Sequence, residues 1–272
     1  MNSTIGRRVV AEAVGTGLLL AVVVGSGIAA QRLFPESAGL ALLVNALATG
    51  GGLVALILTF GAISGAHFNP VVTIFEAACK RRPWGDVAPY VIGQLGGGIA
   101  AVIATHAMFD HPLLELSTQV RSGVPLMVSE LVATFGLIVV IWGVARKRPD
   151  AVAYAVAGYI AAAYWFTPST SFANPALTVA RSLTESFAGI RPIDVPGFVA
   201  AQLVGGALAI ALVRWLHEEP TGLVPRTSCS CASPTPRAAR SPKGSRGRSM
   251  DPRRSSRAPG ASPRASARTR RR

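Results

Sequence analysis

The chain has 272 residues, half of them hydrophobic and 15% charged, with a formal net charge of +14. That balance excludes an ordinary soluble domain, in which about a quarter of the residues are charged. Residues 218–272 hold fourteen of the 27 Lys and Arg and three of the 13 acids, which leaves the body at only +3, so its basicity does not signal nucleic-acid binding.

Six apolar runs follow one another, at roughly 9–31, 38–60, 87–108, 124–145, 150–167 and 195–216. Each approaches or exceeds the length of about 20 helical residues that a hydrocarbon core requires, and the fifth is the shortest. The first is too long and continuous for a removable signal peptide, so it is expected to stay as a span. Arg7-Arg8, Lys80-Arg81-Arg82, Arg146-Lys147-Arg148 and Arg214 with the tail fall on one side if the six spans alternate. The positive-inside rule makes that side cytoplasmic, with both termini inside and the protein multi-pass in the cell membrane.

The landmarks of the first half recur in order in the second. Glu12 with Gly15 and Gly17 is answered by Glu130 with Gly136, Asn69-Pro70-Val71 by Asn174-Pro175-Ala176, and Gln94-Leu95-Gly96 by Gln202-Leu203-Val204. Repeat one covers about 8–108 and repeat two about 124–216. Each holds three spans, an odd number, so the second enters the membrane inverted, which places the functional site at the midplane between the repeats.

Proline lacks an N–H and fixes φ, which suits the first helical position and makes the preceding Asn an N-cap. Asn69 to about Cys79 and Asn174 to about Leu183 therefore read as half-helices that begin inside the membrane, preceded by non-helical Gly61–Phe68 and Thr167–Ala173. Such backbone is tolerated at membrane depth only when it is buried or lines an aqueous cavity. Two helix N-termini facing one pore oppose cations, while the Asn amides donate to a passing oxygen and freed loop carbonyls accept from it. The expected solute is small and uncharged, with both donors and acceptors.

These residues resemble the aquaporin, or major intrinsic protein, superfamily over about 8–216. The segment Ile63-Ser64-Gly65-Ala66-His67-Phe68-Asn69-Pro70-Val71 is similar to the first family loop, and Asn174-Pro175-Ala176 to the second. The resemblance implies an all-α membrane protein of six transmembrane helices plus two re-entrant half-helices in an inverted repeat. It also implies a homotetramer with one pore per subunit.

Family members usually carry Arg directly after the second Asn-Pro-Ala, where this chain has Leu177; Arg181 follows one helical turn later, near the mouth but not in the same place. By similarity the other filter positions are Thr49, Ala163 (or Ala162) and Ser171, which implies a wide, uncharged filter. The pattern is similar to bacterial members associated with arsenic detoxification, so arsenite as As(OH)3, methylated arsenicals, glycerol-like solutes and water are the expected cargo. A water-selective pore and a membrane scaffold with a vestigial pore are the alternatives.

Glu12 and Glu130 are expected to hold loop N–H groups by their repeat symmetry, rather than to relay protons, and His67 to anchor a loop or line the pore. The Gly-rich stretches are read as helix contacts. Neither a cofactor nor a metal is expected, since His106, His111 and His217 lack ligand spacing and Cys79, Cys229 and Cys231 form no pair motif. No nucleophile, base and oxyanion set suggests catalysis. The channel domain is placed at 1–217 and a disordered basic Pro/Ser/Arg-rich tail at 218–272, read as a lipid-attracted arm, a nucleic-acid-sticking segment or the product of a shifted reading frame.

Overall fold

The computed structural model describes residues 4–217; the tail, with Cys229 and Cys231, lies outside the described residues. Eight α-helices make up this part: α1 (Ile5–Leu33), α2 (Ala38–Ser64), α3 (Pro70–Ala78), α4 (Val87–Phe109), α5 (Val124–Ala145), α6 (Val152–Phe166), α7 (Pro175–Ala180) and α8 (Val195–His217). No strand occurs among the described residues.

Local chemistry sets the boundaries. Ser37 caps α2 by accepting from the Leu40 N–H at 3.3 Å, and α2 ends where Gly65 turns left-handed at φ 95°. Helix α2 thus runs four residues further than expected, and the non-helical approach to Asn69 is Gly65–Phe68 rather than 61–68. Both half-helices start with Pro behind an extended Asn, which supplies a cap and gives up no intrahelical bond.

Five helices, α1, α2, α4, α5 and α8, are long and apolar enough to cross a membrane. The 15-residue α6 is prolonged by the single 3-10 turn Pro149–Ala151, and together they reach about 28 Å at the usual rise per residue. The fifth span is therefore short because its chain leaves the helix at Thr167 to form a pore loop.

The repeats obey one plan. In the first, α1 packs mainly on α4 and α2; in the second, α5 packs mainly on α8 and α6; α2 meets α6 between them, and α3 meets α7. Close approach is paid for by glycine at equivalent points. A Cβ on Gly97 would run into the carbonyl of Ala13, and one on Gly205 into the carbonyl of Leu131.

Polarity is inverted relative to a soluble bundle. Leu18, Leu47, Ile92, Val132 and Leu208 lie exposed on the outside, whereas Glu12, Gln94, Glu130 and Gln202 are fully buried. An apolar exterior around a polar interior is stable in lipid, where outward-facing carbon is solvated and inward-facing polar groups find partners.

Candidate functional site: a pore through two half-helix N-termini

Each pore loop hangs from one buried carboxylate. Glu12 Oε1 accepts from the Ser64 hydroxyl at 2.6 Å and the His67 N–H at 3.0 Å, and Oε2 from the Phe68 N–H at 2.7 Å and the Gln94 amide at 2.8 Å. Glu130 repeats the pattern: its oxygens accept from Phe172 N–H at 2.9 Å, Ala173 N–H at 2.8 Å and the Gln202 amide at 2.6 Å. Gln94 reaches on to Thr73 Oγ1 at 3.1 Å and Gln202 to Thr178 Oγ1 at 2.9 Å, and both threonines donate back to the Asn carbonyl that opens their half-helix.

A carboxylate that receives three or four N–H and O–H donors is solvated by protein instead of water. It also fixes the loop conformation. Ala66 and Phe68 have φ of 49°, and Ser171 and Ala173, their equivalents in repeat two, have φ of 51° and 47°. Left-handed backbone at non-glycine residues is costly and persists only where surroundings dictate it; here the glutamates do so.

The loops then cap each other. Asn69 Nδ2 donates to Ala173 O and Asn174 Nδ2 to Phe68 O, both at 2.7 Å. On its own helix, Asn69 Oδ1 accepts from Val71 N–H at 2.9 Å, and Asn174 Oδ1 from Ala176 N–H at 3.0 Å and Leu177 N–H at 3.3 Å. One hydrogen of each NH2 group is thereby committed to the opposite loop, and the second remains available to a solute.

A single cavity of about 500 Å3 passes both Asn side chains. At the α3 end its wall includes Glu76, Arg81 and Arg82; at the α7 end it includes Thr49, Tyr164, Ser171, Phe172, Leu177 and Arg181. His67 lines the cavity too, its Nδ1 lying 3.1 Å from Thr73 Oγ1. Pro70, Val71, Pro175 and Ala176 are buried behind it and carry the Asn residues on their helices.

Of the four filter positions read from the sequence, Thr49, Ser171 and Leu177 are on the wall; neither Ala163, which is fully buried, nor the alternative Ala162 is, and their neighbour Tyr164 lines it instead. One residue turns a helix by about 100°, so a one-residue offset in the loop before Asn174 changes which side chain faces the lumen. The Tyr164 hydroxyl shares a 3.1 Å hydrogen bond with Thr49 Oγ1. Arg181 is also on this wall, although Leu177 occupies the position four residues before it.

Outside the spans, the segment between α4 and α5 braces the α7 mouth. Arg121 donates from Nε to Gly189 O at 2.7 Å, from Nη1 to Ser169 O at 3.3 Å and from Nη2 to Phe187 O at 3.1 Å. Burial pushes this guanidinium down from the ordinary arginine range. Sequence reading missed Tyr164, Phe172 and Arg121; the visible signal was the tyrosine closing the Ala161-Ala162-Ala163 run.

The Major intrinsic protein family model matches residues 1–152. The chain belongs to the major intrinsic protein family. The match stops before the second Asn-Pro element, whose loop nonetheless folds on the same plan as the first. Aquaglyceroporin AqpS of Rhizobium meliloti (strain 1021) is 51% identical over 222 residues, spanning 82% of this chain and 95% of that protein. Aquaporin Z of Bradyrhizobium diazoefficiens is 33% identical over 233 residues, spanning 80% and 96%. In the solved structures, the aquaglyceroporin from Plasmodium falciparum shares the fold with a TM-score of 0.60 at 19% identity, covering 78% of this chain and all of that one. Major intrinsic proteins are membrane channels rather than enzymes, and this chain is one of them.

Proposed function

We propose that the chain is a passive channel for small uncharged solutes that carry hydroxyl groups, glycerol-like molecules and water among them. The observation that carries this reading is the continuous cavity past both Asn side chains to a mixed wall at Thr49, Tyr164, Ser171 and Leu177. Leu177 and the tyrosine ring offer apolar surface to a carbon skeleton, while Asn amides, hydroxyls and loop carbonyls exchange hydrogen bonds with its oxygens. The similarity to an aquaglyceroporin over most of both chains supports the same class.

Tyr164 makes the filter narrower than Thr49 and an alanine alone would be. Its width is therefore set by an aromatic side chain tethered to Thr49, and Leu177 adds bulk without charge. Arsenite belongs to the proposed cargo because As(OH)3 is compact, neutral and carries three hydroxyls; methylated arsenicals share that character. The aliphatic Leu177 in place of Arg supports this choice.

The Arg and Lys clusters support placing the α3 mouth and both termini in the cytoplasm. Insertion in the cell membrane as a homotetramer completes the proposal, on the strength of the family resemblance.

Stopped-flow light scattering on proteoliposomes tests the reading, with gradients of glycerol, arsenite and an impermeant osmolyte run in parallel. Glycerol and arsenite entry well above protein-free vesicles is expected. Water permeability alone would reassign the chain as a water pore, and no flux at all would make it a scaffold.

A further inference from the structure

Arg181 is 3% exposed, lines the cavity and forms no ion pair among the described residues. Its Nε donates to the Ala188 carbonyl, the one hydrogen bond the side chain makes to the described residues. Its Cζ sits 3.3 Å from the centroid of the Phe172 ring. A buried guanidinium without a carboxylate leaves its charge uncompensated, and the wall on which it stands is that of the pore.

The charge is also held still. Phe172 is tied by its N–H to Glu130, packs edge-on against Phe198 with ring centroids 5.2 Å apart, and has the Arg121 guanidinium 5.0 Å from its own centroid. Arg121 in turn binds three backbone carbonyls of the surrounding loops. Arg181 therefore cannot swing away from the lumen without leaving both the ring and Ala188.

Leu177 and Arg181 are four residues apart at the α7 side of the site, about 6 Å along a helical path. The filter-wall side chains Tyr164, Thr49 and Leu177 carry no charge. We infer that this channel separates size selection from charge selection: Tyr164, Thr49 and Leu177 set the bore, and Arg181, displaced by one turn, supplies the fixed positive charge that turns cations back. The inference rests on the channel reading above and makes Arg181 a specificity-determining residue in its own right.

The test measures proton and potassium conductance with internal dyes, and glycerol flux by light scattering, in the same batches of proteoliposomes. Arg181→Leu is expected to raise both cation conductances at least roughly tenfold, whereas Arg181→Lys keeps them within about twofold of wild type. Leu177→Arg placed on the Arg181→Leu background returns a charge to the lumen and restores exclusion. Tyr164→Ala changes the range of polyols admitted without a cation leak. Should Arg181→Leu fail to insert, Arg181→Gln replaces it. Vesicles that remain cation-tight without Arg181 while passing glycerol overturn the inference, as does a Tyr164→Ala leak equal to that of Arg181→Leu. Wild-type protein that passes no glycerol refutes the channel reading instead.

Discussion

The amide nitrogen of Asn69 lies 2.7 Å from the carbonyl oxygen of Ala173, a residue 104 positions away in the other repeat. This bond, returned by Asn174 to Phe68, joins the two pore loops, and each Asn at the same time caps its own half-helix. Asn69→Ala should lose a cap worth about 1 kcal/mol and leave a buried carbonyl unsatisfied at a further 1–3 kcal/mol. Thermal unfolding in detergent is expected to shift down for Asn69→Ala and Asn174→Ala alike, with less than additive loss in the double variant because both act on one junction.

Glu130→Gln separates charge from shape. The amide that replaces one carboxylate oxygen would point N–H groups at the N–H donors of the Ala173–Gln202 side or the Phe172 side. A loss of about 2–4 kcal/mol follows from buried donors left unpaired, read as reduced melting temperature and reduced solute flux. Glu12→Gln should behave the same way; a proton-relay role would instead leave stability intact and alter proton transfer alone.

Gly97→Val and Gly205→Val should fail to give stable protein, since the added Cβ meets a neighbouring backbone carbonyl that has no rotamer to escape into. Gly51→Ala is the matched control, because nothing lies within 4 Å of the added Cβ there. Yield of monodisperse protein after solubilisation distinguishes the two classes.

The bore is expected to respond to Tyr164 and Leu177 in opposite directions. Tyr164→Ala removes the ring and its bond to Thr49, and should extend transport to larger polyols. Leu177→Arg narrows and charges the same wall, and should cut glycerol flux about tenfold or more while water still passes. Stopped-flow traces for a series of polyols of rising length measure both.

The spans and half-helices were legible in the sequence because each rests on a local rule. Hydrocarbon thickness fixes how long an apolar run must be, and an Asn-Pro pair inside such a run starts a helix. The duplicated order of Glu, Asn-Pro and Gln also gave the inverted pairing of α1 with α5 and of α3 with α7. What failed to appear was rotation and reach. Whether residue 163 or 164 meets the lumen depends on a 100° step about the α6 axis, and no pattern in an all-apolar helix records it. Likewise, counting along the helix put Arg181 one turn beyond Leu177, near the mouth but not at the filter position. Its length, the Phe172 ring and the Ala188 carbonyl bring it to the wall, and those contacts come from segments that sequence order keeps apart. The end of α2 was misplaced by four residues because helix propensity carries on to Ser64 until Gly65 stops it.

The crosswise amide bonds bear on how such a chain is made. Each repeat leaves its own loop carbonyl without a partner until the other repeat supplies an asparagine. During synthesis the first three spans can insert, but the bond to Phe68 must wait until residue 174 has left the ribosome. A half-length chain would face the same shortage. It would be complete only as a pair of molecules threaded through the bilayer in opposite directions, and joining the two copies in one chain guarantees that the upside-down partner is always present.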